Sequence, residues 1–538
     1  MTNLVRDVAE TVESYPEQTA IKFQDHEVSY EGFWHRTGQL AQALADAGVE
    51  PGDRVGVYLP NLPQFVTSYY GVLRAGAAVV PMNPQYKARE IGHMLEDSGA
   101  TAVIALSDLV PFVTGVQDET SVETIVSVNG DAEGATPFDE FLAADSFDGY
   151  VERDDEDVAA QPYTSGTTGT PKGVLLTHGN LGWMTRHAGD ILEEDYGPED
   201  RLLGVLPLFH IYGMTVVMNA GLYNGSTYYP LPEWDAETAL GLIQSEELTI
   251  MHGVPAMYND IVNTPGADEY DLSSLRFVNS GGSSCPVEVI NRFEELFGVQ
   301  LNEGYGLTET SPITHANRPD ARRKGSIGQP IPGVDAKVVD EDFEEVPRVE
   351  EGPIDEGEYD LDEIVGEIVV SGPNVMKGYH DRPGANEEAF TEADGSPASE
   401  ASGTSEAGTA SGKTWFHTED LGYWDEDDFF YVIDREKHMI VTGGYNVYPR
   451  EVEELLFEHE GVADAAVVGV PDERRGETVK AFIVPRPDAD VTPEEIKEYC
   501  LENMAEYKHP REVEFVEELP RTTTGKVQKF ELRGEEAE

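Results

Sequence analysis

Twelve residues, Tyr163 to Val174 (YTSGTTGTPKGV), constrain this chain more than any other stretch. Five Ser/Thr hydroxyls surround Gly166 and Gly169, and Lys172 follows just before Gly173. Glycine lets backbone N–H groups converge on an anion without a Cβ in the way. Thr164, Ser165, Gly166, Thr167, Thr168, Gly169 and Lys172 therefore read as a grip for a polyphosphate. The common P-loop spacing, G-x-x-x-x-G-K-[ST], is absent because Pro171 stands five residues after Gly166.

The segments around this loop alternate between strand and helix. Arg54–Pro60 and Ala77–Pro81 are short apolar strands flanking a helix over Gln64–Gly76, which carries Phe65, Tyr69, Val72 and Leu73 on one face. The pattern returns after residue 175, with strands at Arg201–Leu206, Ser226–Leu231, Thr249–Val254 and Leu275–Ser280. Repeated βα units imply an α/β fold with two doubly wound parallel-sheet subdomains. Between about Gly325 and Tyr431 the texture shifts to short Val- and Ile-rich strands with Gly/Pro turns, which suggests a small β-barrel. Within it, Glu392–Gly412 is low-complexity and reads as a solvated loop. A new α+β unit begins near residue 439, with helices over Pro449–His459 and Pro493–Asn503 and strands at Ala465–Val470 and Val479–Val484. The expected division is an N-terminal domain 1–434, a hinge 435–438 and a small mobile C-terminal domain 439–538.

Composition excludes several classes of function. The chain carries 103 acidic against 36 basic residues, a net charge of −67 spread along its whole length. Nucleic-acid binding needs a basic footprint and is disfavoured. A surface this acidic repels itself in dilute buffer and suits concentrated salt, where a short Debye length screens the repulsion, so the chain reads as halophilic. Cys285 and Cys500 are the only cysteines, and the N-terminus lacks an apolar signal core, so a reducing, cytoplasmic setting is expected. No charged residue occurs from Leu202 to Pro232, but Pro207, His210, Gly213, Asn219, Asn224 and Gly225 interrupt the run. It reads as a buried strand, loop and helix, not a transmembrane segment. With 13 lysines in the chain, a lysine inside a motif carries extra information.

Other segments add chemistry to the loop. The strand Leu275–Ser280 runs into Gly281, Gly282 and Ser283, a glycine turn at the carboxyl end of a parallel strand, where open α/β sheets bind ligands. Pro286 suits the first position of the amphipathic helix that follows. The next strand ends in Asn302-Glu303-Gly304-Tyr305-Gly306-Leu307-Thr308-Glu309. Tyr305 offers a plane for a base, Thr308 a hydroxyl for a phosphate, and Glu309 a carboxylate for Mg²⁺.

Taken in order, these motifs resemble the AMP-forming adenylating superfamily of acyl-CoA synthetases, with the strongest likeness to fatty-acid CoA ligases. Leu206-Pro-Leu-Phe-His210 resembles the motif whose histidine borders the acyl pocket. Trp415–Tyr423 resembles the ribose-binding motif, with Asp420 as hydroxyl acceptor and Glu419 where glycine is usual. Asp434–Glu451 resembles the hinge motif: Arg435 maps onto a ribose contact, Lys437 onto the pivot, and Gly443, Gly444 and Tyr445 onto the loop beside the CoA thiol, while His438 replaces the common aspartate. Leu519–Lys526 resembles the last motif, whose lysine enters the site for adenylation. The resemblance implies that ATP, Mg²⁺ and coenzyme A convert a carboxylic acid to its acyl-CoA through an acyl-adenylate. Lys526, Thr308, Glu309 and His210 are the candidate catalytic residues. It leaves open an aryl- or medium-chain ligase, an adenylation unit that loads a separate carrier, and a nucleotide-binding regulator that has lost catalysis. A homodimer is compatible with all of these.

Overall fold

A computed structural model of the chain describes residues 3–143, 145–164, 171–192, 196–354, 359–392, 395–396, 398, 413–435, 438–442, 445–472, 474–486, 489, 491–522 and 526–534. Two large sheets, each with a parallel core, form the N-terminal part. In the first, the strands Arg201–Gly204, Thr227–Pro230, Ile250–Gly253, Phe277–Ser280 and Leu301–Gly306 are parallel neighbours. In the second, Arg54–Tyr58, Ala78–Pro81, Ala102–Leu106 and Thr124–Val128 are parallel. The strands run as near-continuous apolar segments because both faces are covered by helices. The expected strands and helices appear within a few residues of the anticipated bounds, and the apolar run after Leu202 forms a strand, a loop, the π-helix Tyr212–Asn219 and the helix Ala220–Tyr223. Among the described residues no helix is long and apolar enough to cross a membrane.

Sequence order and spatial order part company at two places. The strand Thr19–Phe23 forms an antiparallel hairpin with His26–Ser29 and on its other side lies parallel to Thr227–Pro230, with Ile21 opposite Tyr228, so the N-terminal hairpin edges the first sheet and not the second, to which the next strands belong. Conversely, Lys172–Thr177 and Gly378–Tyr379 pair antiparallel to each other at the edge of the second sheet, so a segment far downstream joins the strand that carries Lys172. The pairings with Thr227–Pro230 and with Gly378–Tyr379 are non-local, and a βα periodicity carries no information about them.

The antiparallel piece expected after residue 325 is a five-stranded sheet of Asp335–Val339, Gly366–Ser371, Phe390–Glu392, Thr414–Trp424 and Phe430–Arg435. Among the described residues its outer strands Asp335–Val339 and Phe390–Glu392 share no ladder, so the piece is an open sheet where a barrel was expected. Most of the low-complexity stretch, residues 399–412 included, lies outside the described residues. The C-terminal unit packs the helices Pro449–Phe457 and Pro493–Asn503 on a sheet built around the long hairpin Val462–Asp472/Gly476–Pro485. It has a hydrophobic core of its own, which includes Val452, Leu456, Val467 and Ile496.

Candidate functional site

The strand Tyr163–Thr164 pairs antiparallel with Lys172–Thr177, Lys172 opposite Thr164 and Gly173 opposite Tyr163, so residues 165–170 connect two strands of a hairpin. Ser165, Gly166, Thr167, Thr168 and Gly169 themselves lie outside the described residues. The base of the hairpin is anchored by Tyr163, whose hydroxyl donates to Asp97 Oδ2 at 2.8 Å and accepts from Gln161 Nε2 at 3.0 Å. A Cβ at Gly173 would stand 2.7 Å from the Gln161 amide nitrogen, so a side chain here would have to displace the glutamine that holds Tyr163.

A cavity open to solvent lies at the carboxyl ends of the first sheet's parallel strands. Its lining includes His210, Tyr212, Asn279, Gly281, Gly282, Gly304, Tyr305, Gly306, Thr308 and Lys526. The strand ends bring the glycine turn and the octet together as anticipated for an open α/β sheet. Gly306 tolerates no side chain, because a Cβ would meet the Pro312 carbonyl oxygen at 1.8 Å. Ser283 is exposed, and neither it nor Asn302 nor Glu303 is among the cavity-lining residues. Asn302 instead accepts from Gln300 Nε2 at 2.8 Å, and Glu303 accepts from the Cys285 N–H at 3.2 Å. Pro286 is the N-cap, one position earlier than expected, of the helix Val287–Phe297.

Asp420 is buried and is not itself among the lining residues, but it bonds to one that is. Tyr305 donates its hydroxyl to Oδ2 at 2.5 Å, and Arg435 donates Nε to Oδ1 at 3.0 Å. A carboxylate has about four lone-pair sites, so Asp420 can still accept a ligand hydroxyl. Its approach depends on Glu419, which adopts a left-handed conformation, φ 60°, at a register shift in the sheet. Glycine suits that backbone, and here an exposed glutamate holds it, with its N–H bonded to Glu367 Oε1 at 2.8 Å.

Glu309 is buried in the short 3₁₀ turn Thr308–Thr310. Burial raises its pKa, while its own backbone N–H, the Tyr379 hydroxyl, Arg435 and Lys526 oppose the rise. Tyr379 was not anticipated from the sequence. Its hydroxyl donates to Glu309 Oε1 at 2.9 Å and its ring lies 5.0 Å from the Lys172 ammonium, so one residue links the hairpin to the octet. No spacing marks it out, because the link depends on Gly378–Tyr379 pairing with the hairpin strand.

Lys526 reaches the cavity from the C-terminal unit. The residue as a whole is exposed; desolvation of its ammonium and the nearby Arg435 lower its pKa, against Asp420 and Glu309, so the ammonium faces two carboxylates and one competing cation. His210 is held neutral: burial, helped by Lys526, pushes its pKa down to about 3, and its Nδ1 accepts from the Tyr212 N–H at 3.3 Å. It borders the cavity as an uncharged ring. The floor is a buried relay. Asn279 Nδ2 donates to the Tyr212 hydroxyl at 2.7 Å, and that hydroxyl contacts His252 Nδ1 at 3.0 Å. His252 Nε2 lies 2.9 Å from the Tyr196 hydroxyl, and Asn279 Oδ1 has no hydrogen-bond partner among the described residues. Burial lowers the His252 pKa to about 3, which keeps this relay uncharged. Lys437, Gly443 and Gly444 lie outside the described residues, as does the Tyr445 side chain, although Tyr445 begins the strand Tyr445–Val447.

The AMP-binding enzyme family matches residues 8–380, and the AMP-binding enzyme C-terminal domain matches residues 451–526. This chain belongs to that family. It is 36% identical, over 97% of its length and 93% of the other protein, to a long-chain-fatty-acid–CoA ligase of Bacillus subtilis. It is 35% identical to a feruloyl-CoA synthase of Amycolatopsis sp, with 96% of each chain covered. Among solved structures it resembles the anthranilate CoA ligase AuaEII in complex with anthranoyl-AMP, with TM-score 0.86, 27% identity, and 99% and 96% of the two chains covered. It also resembles ATP-bound MatB from Rhodopseudomonas palustris, with TM-score 0.85, 28% identity and 99% of each chain covered. The protein is an AMP-forming acyl-CoA ligase, and ATP and coenzyme A are its co-substrates.

Proposed function

We propose that this ligase activates fatty acids, joining a fatty acid to coenzyme A with release of AMP and diphosphate. The observation that carries the reading is the approach of Lys526 to Thr308 and His210 in one cavity, with Glu309, Asp420 and Arg435 close by. The acid is already ionised at neutral pH and needs a leaving group, not a base. Its carboxylate oxygen attacks the α-phosphate of ATP, the bond to the diphosphate breaks, and the mixed anhydride passes its acyl group to the CoA thiol as AMP leaves. Positioning and charge neutralisation supply the catalysis. Lys526 and Thr308 hold the α-phosphate, the hairpin loop with Lys172 restrains the departing diphosphate, and Asp420 with Arg435 holds the ribose. Glu309 fits a Mg²⁺ ion, which takes one or two carboxylates beside phosphate oxygens and supplies charge neutralisation. No cluster of three or more metal-ligating side chains occurs among the described residues. Arrival of the thiol requires the C-terminal unit to turn about Lys437, withdrawing Lys526 and presenting Gly443, Gly444 and Tyr445.

A second reading, an aromatic or other polar acid as substrate, is favoured by the floor. Tyr212 and the unpartnered Asn279 Oδ1 would reward a ligand that carries a hydrogen-bond donor. Acid-dependent exchange of pyrophosphate into ATP, run in molar salt over fatty acids of rising chain length and over hydroxylated aryl acids, tests both. An optimum among fatty acids supports the first reading and an optimum among aryl acids the second. Exchange with neither class refutes both.

A further inference from the structure

The hairpin that carries Lys172 is gripped at its root by one helix, Ala88–Ser98. Ile91, Met94 and Leu95 bury one face of this helix in the core beneath the second sheet, and Gly99 ends it with a left-handed φ of 66°. His93 and Asp97 stand one turn apart beside that face, and each takes one strand of the hairpin. His93 Nε2 lies 2.9 Å from the Pro171 carbonyl oxygen. A carbonyl only accepts, so the ring carries its proton on Nε2 and donates. Pro171 precedes the first ladder pair, Lys172 opposite Thr164, and proline has no N–H, so this carbonyl is its one main-chain polar group. On the other strand, Asp97 Oδ2 accepts from the Tyr163 hydroxyl at 2.8 Å. The His93 and Tyr163 rings meet edge to face between these two bonds, with centroids 6.1 Å apart. Asp97 Oδ1 accepts from Arg382 Nη2 at 2.7 Å, three residues after the Tyr379 whose hydroxyl donates to Glu309.

We propose that His93 and Asp97 are positioning residues, a clamp that fixes both strands of the hairpin and so sets Lys172 for the diphosphate, with Arg382 tying the clamp to the segment that holds Glu309. Neither residue lines the cavity, so both act through the hairpin and not on a ligand. A cation held in place before the ligand arrives loses less freedom on binding, which is where such a clamp contributes. The inference rests on the reading of Lys172 as a diphosphate contact. Nothing in the local sequence marks the two residues, because their partners Pro171 and Tyr163 lie 78 and 66 positions downstream. Diphosphate takes part in acyl-adenylate formation and is absent from the transfer to the thiol. Loss of the clamp therefore weakens the first half-reaction and spares the second.

The test follows the KM for pyrophosphate in acid-dependent exchange, and thioester formation from supplied acyl-AMP, in His93→Ala, His93→Gln, Asp97→Ala and Lys172→Ala. Asp97→Ala removes an ionised acceptor and should raise the pyrophosphate KM about tenfold or more, and His93→Ala, which removes a neutral donor, by about three- to tenfold. Thioester formation should stay within about twofold of the parent in both. His93→Gln carries an amide N–H toward the same carbonyl and should recover most of the loss. Deuterium exchange at residues 172–174 should quicken in both alanine variants, a readout that does not depend on turnover. Should Asp97→Ala fail to fold, the His93→Ala and His93→Gln pair decides. If Lys172→Ala raises the pyrophosphate KM while the His93 and Asp97 variants slow both half-reactions equally or neither, the clamp is refuted and the reading of Lys172 stands. If Lys172→Ala leaves that KM unchanged, the reading of Lys172 falls and the clamp falls with it.

Discussion

Tyr379→Phe removes a single hydroxyl and keeps the ring under Lys172, so it isolates the hydrogen bond to Glu309. Glu309 is 8% exposed, and burial already raises its pKa. A hydrogen bond to an ionised acceptor contributes about 1.5–3 kcal/mol, and one pKa unit corresponds to about 1.4 kcal/mol, so losing the hydroxyl should raise the Glu309 pKa by about 1–2 units. The ionised carboxylate is the form that the proposed Mg²⁺ site needs, and its population falls as the pH drops through that pKa. The acidic limb of kcat/KM for MgATP in acid-dependent pyrophosphate exchange, followed from pH 5 to 9, should therefore move upward by about one unit or more, with the high-pH plateau largely kept. The unliganded fold supplies a second check with its own sign. The folded pKa of Glu309 lies above its unfolded value, so ionising it costs stability as the pH rises, and the loss of Tm in Tyr379→Phe should be larger at pH 8 than at pH 5. A limb that stays in place while the plateau collapses refutes the assignment of Tyr379 to Glu309 ionisation.

On the proposed role of Lys526 at the α-phosphate, Lys526→Ala should reduce acyl-adenylate formation by about 10²–10³-fold, while thioester formation from supplied acyl-AMP is spared; single-turnover assays of each step measure the split. At Glu419, glycine relieves a left-handed backbone worth about 1 kcal/mol but frees the unfolded chain by a similar amount, so Tm in Glu419→Gly should barely change. Glu419→Val places a β-branched residue in the same conformation and should cost about 1–2 kcal/mol by denaturant titration. A stable valine variant would show that the turn does not require this backbone. The net charge of −67 should make Tm climb with KCl as the Debye length shortens from about 10 Å at 0.1 M to about 3 Å at 1 M. A flat or falling Tm would refute the reading of the surface as adapted to salt.

Local chemistry was legible wherever the chain carries it in a few consecutive residues. The glycine-flanked octet Asn302–Glu309 and the glycine turn at Gly281 announced the ends of parallel strands, and those strands meet at the cavity. Periodicity of apolar residues identified the βα units, because a strand buried on both faces and a helix buried on one leave different patterns. What stayed hidden depends on distance along the chain. Tyr379 reaches Glu309 only through a ladder between Gly378–Tyr379 and the hairpin strand, and the Asn279, Tyr212, His252 and Tyr196 relay draws on three separate elements and a loop. Asn302 and Glu303 share the octet with Thr308, yet the strand turns their side chains toward Gln300 and Cys285.

From the sequence alone came the family, the α/β class and the set of groups able to handle a nucleotide and an acid, since these follow from residue type and short spacing. Tertiary structure decided which of those groups share one cavity. It also decided the protonation of His210 and Glu309, which is a property of burial and of neighbours supplied by other segments. The position of Lys526 belongs to the second kind as well. Its reach across the boundary is fixed by contacts such as Arg450 to the Val432 carbonyl and Asn259 to the Ala463 carbonyl, the second between residues more than two hundred positions apart.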